Sequence, residues 1–141
     1  MLLYLYYNSH LLEVPKGRDE LGLRYVDNMA LVAIAKDLEE AHRGIRHMMN
    51  QAGGVVEWSG VHNSWFGATK SVLVDFMHSK SKWRPPMELS GVILALQPAH
   101  KFLGVSLDQE LQWDHQASNS LVRATKWVMA FRRLAHPLAG I

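Results

Sequence analysis

The stretch LGLRYVDNMALVAI, residues 21–34, decides the fold of this chain. Two apolar segments flank a pair of turn-forming polar residues, which predicts a β-hairpin with strands near Leu21–Val26 and Met29–Ile34 and with Asp27 and Asn28 at its tip. A carboxylate fixed on a rigid hairpin tip is well placed to bind a divalent cation, so Asp27 is a candidate metal ligand. A plain hairpin turn is the alternative, because Asp and Asn both tolerate a positive φ.

The composition is that of one ordinary domain with a hydrophobic core. The chain has 141 residues, of which 48% are hydrophobic, and it has no cysteine. The absence of cysteine excludes disulfides and thiolate metal sites, and it favours an intracellular location without fixing the compartment. No apolar run is long enough to cross a membrane, and Met1–Tyr7 lacks the basic region of a signal peptide. We therefore expect no membrane partner.

The basic residues are unevenly distributed, although the formal net charge is only +2. The region after Gln112 contains one acid and four cations, Arg123, Lys126, Arg132 and Arg133. Three of these, Arg123, Lys126 and Arg133, share one face of a predicted helix, opposite an apolar stripe that begins at Ala117. Such clusters can contact phosphates. From charge alone, a solvated helix face is the simpler explanation.

Helical and strand patterns are mixed along the chain but do not alternate in regular βαβ order, which predicts the α+β class. The predicted helices are Leu2–Val14, Asp37–Met49, Val55–His62 and Trp113–Pro137, with Asp37 as an N-cap. The predicted strands are Lys70–Phe76, a pair within Glu88–Leu96, and Phe102–Leu107.

Five tryptophans offer either core packing or base stacking. Trp58, Trp113 and Trp127 fall within helical patterns, so we expect them in the core. Trp83 lies in a loop with Lys80 and Lys82, and it is the better candidate for stacking on a base.

Four segments, in order, resemble motifs of reverse transcriptases, and in particular the RNA-directed DNA polymerases of fungal non-LTR retrotransposons. The similarity spans nearly the whole chain. Residues Tyr25–Asn28 resemble the catalytic Tyr-x-Asp-Asp motif. Residues 62–66 and 70–76 resemble the palm motif in which a helix leads to a strand that carries a lysine. Residues Ala99–Val105 resemble the primer grip, and Thr125–Ala135 resemble the start of the thumb.

The resemblance implies an α+β fold with a partial palm over residues 1–111 and the start of a helical thumb over residues 112–141. The palm would contain the catalytic hairpin, a helix, a strand and the primer-grip hairpin. The implied catalytic residues are Asp27, Asn28 and Lys70, with Asp27 as the metal ligand. The implied nucleic-acid contacts are the primer grip, Phe102, Leu103 and Gly104, together with Arg123, Lys126 and Arg133. The implied partners are an RNA template and a DNA primer, and the oligomeric state is left open.

The departures from the family argue against catalysis. The fingers, the Gln-Gly nucleotide-binding motif and the first catalytic Asp of the family have no counterpart here, and Asn28 replaces the second Asp. Two Mg²⁺ ions about 4 Å apart need bridging carboxylates, which Asp27 alone does not supply. Magnesium is therefore expected only if the missing upstream Asp is supplied.

We accordingly expect a truncated reverse transcriptase that is inactive as a nucleotidyltransferase. Two alternatives stay open: a non-enzymatic nucleic-acid-binding module and a relic without function. A palm separated from its partner strand should also expose a sheet edge and part of an apolar face.

Overall fold

The computed structural model describes residues 6–67, 70–77, 84–89 and 91–135. The helices are α1 Leu38–Asn50, α2 Val55–Val61 and α3 Asp114–Ala135. The strands are β1 Glu20–Tyr25, β2 Asn28–Ala33, β3 Val72–Leu73, β4 Glu88–Leu89, β5 Val92–Ile93, β6 Ala95–Leu96, β7 Ala99–Phe102 and β8 Val105–Asp108. The described strands pair two by two, antiparallel except for β3 with β6. This mixture confirms the α+β class.

The described residues divide into two units. The first unit contains residues 6–67, 70–75, 84–89 and 91–96, and the second contains residues 76–77 and 97–135. The predicted boundary between residues 111 and 112 separates functional regions of a polymerase, and it stays a prediction.

The predicted hairpin of the first unit is confirmed. Strands β1 and β2 pair antiparallel from Glu20 opposite Ala33 to Tyr25 opposite Asn28. This register puts Val26 and Asp27 in the two-residue turn and makes Asn28 the first residue of β2. The prediction that Asn28 shares the tip was therefore wrong by one residue, because pairing along both strands sets the register and overrides the preference of a single turn residue.

The hairpin exposes apolar side chains on one face of β1. The exposed side chains of β1 are those of Leu21, Leu23 and Tyr25, at 50%, 44% and 57%. The alternate residues Glu20, Gly22 and Arg24 are half-buried. A Cβ at Gly22 would lie 3.0 Å from the ring of Pro15, so the inner face packs closely on the preceding segment.

The core of the first unit gathers buried side chains from three helical segments. Its members are Leu11, Val14, Met48, Val55 and Trp58, with Met29, Leu31 and Ile45 packed against them. The predicted burial of Trp58 is thus confirmed. The predicted helix Leu2–Val14 is described only in part, because residues 1–5 lie outside the description, and the described part contains a 3₁₀-helix at Ser9–Glu13.

Helix α1 begins and ends at local signals in the sequence. The Asp37 carboxylate accepts the backbone N–H of Glu40 at 2.8 Å, which confirms the predicted N-cap. The helix ends before Gly53, whose φ is +76°. A Cβ on Gly54 would lie 2.7–2.9 Å from the carbonyl oxygens of Met48, Met49 and Gln51, so no larger residue fits without a backbone shift. The chain then resumes as α2, as predicted.

The later strands are shorter than their patterns predicted. Within Lys70–Phe76 only β3 is regular, and the pair around Gly91 is present as β4 and β5. The prediction of one strand over Phe102–Leu107 was wrong. The chain reverses at Leu103 and Gly104, whose φ values are +51° and +90°, and two consecutive positive φ angles match a type I′ hairpin turn. The hairpin implied by the resemblance is therefore present.

Helix α3 is present close to its predicted bounds, although residues 136–137 lie outside the description. It has no buried residue. Trp113 and Trp127 are 46% and 66% exposed, so their predicted core packing was wrong. The reason is that α3 packs on β8 through one side only, and its remaining sides stay open within this unit. Among the described residues, no helix is long and apolar enough to cross a membrane.

Candidate functional site

The turn of the first hairpin holds a strained residue. Val26 has a φ of +55°, a left-handed value that is unfavourable for a β-branched side chain. The turn retains this conformation because six residue pairs on the two strands fix its ends. Backbone strain of this kind is concentrated at functional sites, which makes the tip a candidate site.

Asp27 occupies the exposed tip beside this strained residue. Its Oδ1 accepts a hydrogen bond from the side-chain amide of Asn28 at 3.2 Å. The amide supplies no negative charge, and the described residues contain no group of three His, Cys, Asp or Glu side chains that could hold a metal ion. A magnesium pair needs several bridging carboxylates. The donor set at this tip therefore does not fit the two-metal centre that the resemblance implies.

Arg24 supports the tip from the inner face of β1, and the sequence reasoning did not identify it. Its guanidinium donates to the carbonyl oxygen of Asn8 and, at 3.3 Å, to that of Val26. These bonds connect the turn to the segment before β1. Its position in the period-two pattern, on the half-buried face with Glu20 and Gly22, was the signal that could have revealed this role.

Lys70 lies in a turn two residues before β3. Its backbone N–H donates to the carbonyl oxygen of Gly67 at 2.9 Å, and its side chain is exposed. The described hydrogen bonds and ion pairs do not connect Lys70 with Asp27. The arrangement of these two predicted catalytic residues around a common substrate stays a prediction.

The second unit contains the other predicted contacts, on the β7–β8 hairpin and on α3. Helix α3 meets β8 through two bonds: Gln116 accepts the backbone N–H of Ser106 at 2.9 Å, and Asn119 donates to the Ser106 hydroxyl at 3.5 Å. Residues three, four or seven apart share a helix face. The face of α3 that begins with Gln116 and Asn119 therefore continues through Arg123, Lys126 and Arg133.

We call this surface the hairpin–helix face: the β7–β8 hairpin together with Arg123, Lys126 and Arg133. Leu103, at the hairpin tip, is 49% exposed, and nothing lies within 4 Å of the Cβ that Gly104 would carry. The tip is thus open to a ligand backbone, while the three cations are exposed along the helix. Such a surface can contact successive phosphates without reading bases.

Asp108 fixes the junction between β8 and α3. Its carboxylate accepts the backbone N–H groups of Gln112, Trp113 and Glu110 at 2.9–3.1 Å. These hydrogen bonds, that of Gln112 above all, lower the pKa of Asp108 below its ordinary value because they favour the ionised carboxylate. The left-handed φ angles at Leu111 and Trp113 belong to this same turn. Asp108 thus holds the hairpin–helix face together.

A buried pair in the first unit also escaped the sequence reasoning. His42 on α1 and Asp75, just after β3, are hydrogen-bonded through Nε2 and Oδ1. Both side chains are almost completely buried, so they cannot reach a large substrate. The only signal in the sequence was an acidic residue within an apolar strand pattern.

A cleft of about 350 Å³ lies beside α2, also in the first unit. Trp58 and His62 stack at its wall, 4.4 Å between ring centroids. The ionisable groups around it are partly used by the fold: Lys16 donates to the carbonyl oxygen of Ala52, and Glu57 accepts the backbone N–H of Gly53. Lys16 and Glu57 are therefore engaged by backbone partners within the fold.

Searches against protein-family models, curated proteins and solved structures find no match to this chain.

Proposed function

We propose that this chain is a reverse transcriptase palm and thumb fragment that binds the phosphate backbone of a primer–template and does not polymerise. The observation that carries the proposal is the hairpin–helix face. The β7–β8 hairpin has an open glycine tip, and β8 contacts α3 at Gln116, whose helix face continues through the three exposed cations. This is the arrangement that a backbone clamp requires, since phosphate contacts position a duplex and need no base-reading groups.

The first hairpin supports the second part of the proposal, that the chain does not polymerise. Asp27 sits at an exposed tip on a strained turn, as a catalytic carboxylate would. Asn28 beside it is uncharged, and no described cluster supplies further metal ligands. Binding without catalysis is the function that accounts for both hairpins.

Salt-dependent binding tests the proposal. A labelled RNA–DNA primer–template is titrated with the protein at several salt concentrations and followed by fluorescence anisotropy. Neutralising three phosphates predicts a slope of log affinity against log salt of roughly −2 to −3. Base sequence should have little effect, because the hairpin–helix face offers phosphate contacts and no base-edge reader.

A matched pair of variants locates the contact. Arg133 belongs to the hairpin–helix face and Arg132 does not, although the two are adjacent and both exposed on α3. Arg133→Ala should weaken binding and flatten the slope by about one, whereas Arg132→Ala should leave the slope unchanged. Equal effects of the two variants, or no binding at low salt, would reject the binding proposal and favour a relic without function.

A further inference from the structure

The side of α3 opposite the hairpin–helix face carries a heptad seam. We define the seam as Ala117, Leu121, Ala124, Val128 and Phe131, spaced alternately four and three residues apart. This spacing places all five on one stripe that suits packing against another helix. Leu121, Val128 and Phe131 are 69%, 56% and 62% exposed. Since β8 contacts the other side of the helix, the second unit leaves the seam uncovered.

The residues beside the seam favour an identical helix as its partner. Positions that flank the seam carry a single charge, that of Arg132; the others are Ser118, Ser120, Thr125, Trp127 and Leu134. Two copies can therefore approach without repulsion between like charges. The remaining cations of α3 are on the hairpin–helix face, away from the contact. A strongly acidic or basic partner would find little charge complementarity here.

The sizes and charges along the seam favour an antiparallel arrangement. Its N-terminal half is small, with Ala117 and Ala124, whereas its C-terminal half carries Phe131, stacked against Trp127 at 5.9 Å. Reversing one helix about Ala124 places Phe131 of one copy opposite Ala117 of the other. Each large side chain then packs into the space left by a small one. The same reversal brings the acidic N-terminal residue Asp114 beside the last turn of the other copy, where Arg132 flanks the seam.

We propose that the chain forms a homodimer through antiparallel pairing of α3 along this seam. The dimer leaves both hairpin–helix faces pointing outward, so it presents two basic surfaces. The proposal does not depend on nucleic-acid binding, because it rests on the opposite side of the helix.

Sedimentation equilibrium of the full chain tests the dimer. A contact between two single helices is expected to be weak, so the protein is examined up to about 1 mM. Val128→Glu should abolish the dimer. Val122→Glu is the matched control, because Val122 is on the same helix and 53% exposed but lies outside the seam, and it should leave the dimer intact. Circular dichroism checks that both variants keep their helix.

Single-cysteine variants test the orientation, since the chain has no cysteine of its own. Under mild oxidation Ala124→Cys should form a disulfide-linked dimer. Ala117→Cys should not, because antiparallel copies separate these residues by about 21 Å along the axis, too far for a disulfide. Ala130→Cys, on the hairpin–helix side, controls for random collisions.

Three outcomes would overturn the proposal. The first is a monomer at every concentration. The second is an equal response to Val128→Glu and Val122→Glu, which would mean general apolar association. The third is crosslinking of both Ala117→Cys and Ala124→Cys, which would mean parallel helices.

Discussion

The imidazole of His42 and the carboxylate of Asp75 lie 2.8 Å apart, Nε2 to Oδ1, with 3% and 4% of their side-chain surfaces exposed. This bond joins α1 to the segment that follows β3. The second carboxylate oxygen of Asp75 is buried and has no hydrogen-bond partner among the described residues. Among the described side chains, this hydrogen bond is thus the contact that joins the segment to α1.

Removing one partner of this pair should be costly. His42→Ala should lower the free energy of unfolding by about 3 kcal/mol, because it leaves the Asp75 carboxyl group buried without its partner. The double variant His42→Leu/Asp75→Leu should lose less, since it removes both polar groups. Urea denaturation measures the differences, with exposed His47→Ala as the control on the same helix. Similar small losses for His42→Ala and His47→Ala would contradict the prediction.

Relieving the strained turn should stabilise the first hairpin. Val26→Gly should raise the free energy of unfolding by about 1 kcal/mol, because glycine adopts a positive φ freely. Val32→Gly, at a paired position in β2, should lower it by about the same amount or more. Thermal denaturation of the two variants against the parent chain is the measurement. A Val26→Gly variant less stable than the parent would show that the turn is not strained in this way.

The junction held by Asp108 should be acid-sensitive. Its pKa is lowered in the folded chain by the backbone N–H of Gln112 first, then of Trp113 and Glu110. The ionised group therefore stabilises the fold above about pH 4, the ordinary carboxyl pKa, and this contribution is lost as the pH falls through the lowered value. Asp108→Asn should be less stable than the parent at pH 7, and the difference should shrink in acid. The free energy of unfolding is measured against pH for both proteins, with Glu88→Gln as an exposed control. A difference between Asp108→Asn and the parent that stays constant with pH would contradict the prediction.

Completing the proposed Tyr-x-Asp-Asp motif should not confer polymerisation. Asn28→Asp should extend a primer on an RNA template no better than the parent chain with either Mg²⁺ or Mn²⁺, because a third metal-binding carboxylate is still absent from the described residues. Primer-extension gels measure this, and Asp27→Ala marks the background. Metal-dependent extension by Asn28→Asp that disappears when Asp27 is also replaced would refute the prediction.

Features that depend on neighbouring residues could be predicted from the sequence. The Asp37 cap and the interruption at Gly53 and Gly54 follow from backbone chemistry within one helical turn. The first hairpin follows from two apolar runs around polar residues. Its exact turn does not, because the register is settled by pairing along the whole of β1 and β2.

Features that depend on distant contacts could not be predicted. Nothing in the pattern around His42 indicates a partner 33 positions later, because that partner is set by how α1 packs on the chain. The predicted core packing of Trp127 on α3 was wrong for the same reason. The spacing of apolar residues shows that the helix has an apolar stripe, but only the position of β8 shows which side of the helix is covered. The candidate site was accordingly predicted residue by residue, while the contact of β8 with α3 through Gln116 was visible only in the structure.

Gly54 also bears on the history of the chain. Every first- or second-position change in its codon adds a side chain or ends the reading frame, and a side chain there collides with the carbonyl oxygens that close α1. In a sequence that drifts without selection, this codon decays as quickly as those of exposed residues. A set of diverged copies in which position 54 stays glycine while the surface of α2 varies is therefore the genomic signature of a chain whose fold is still maintained.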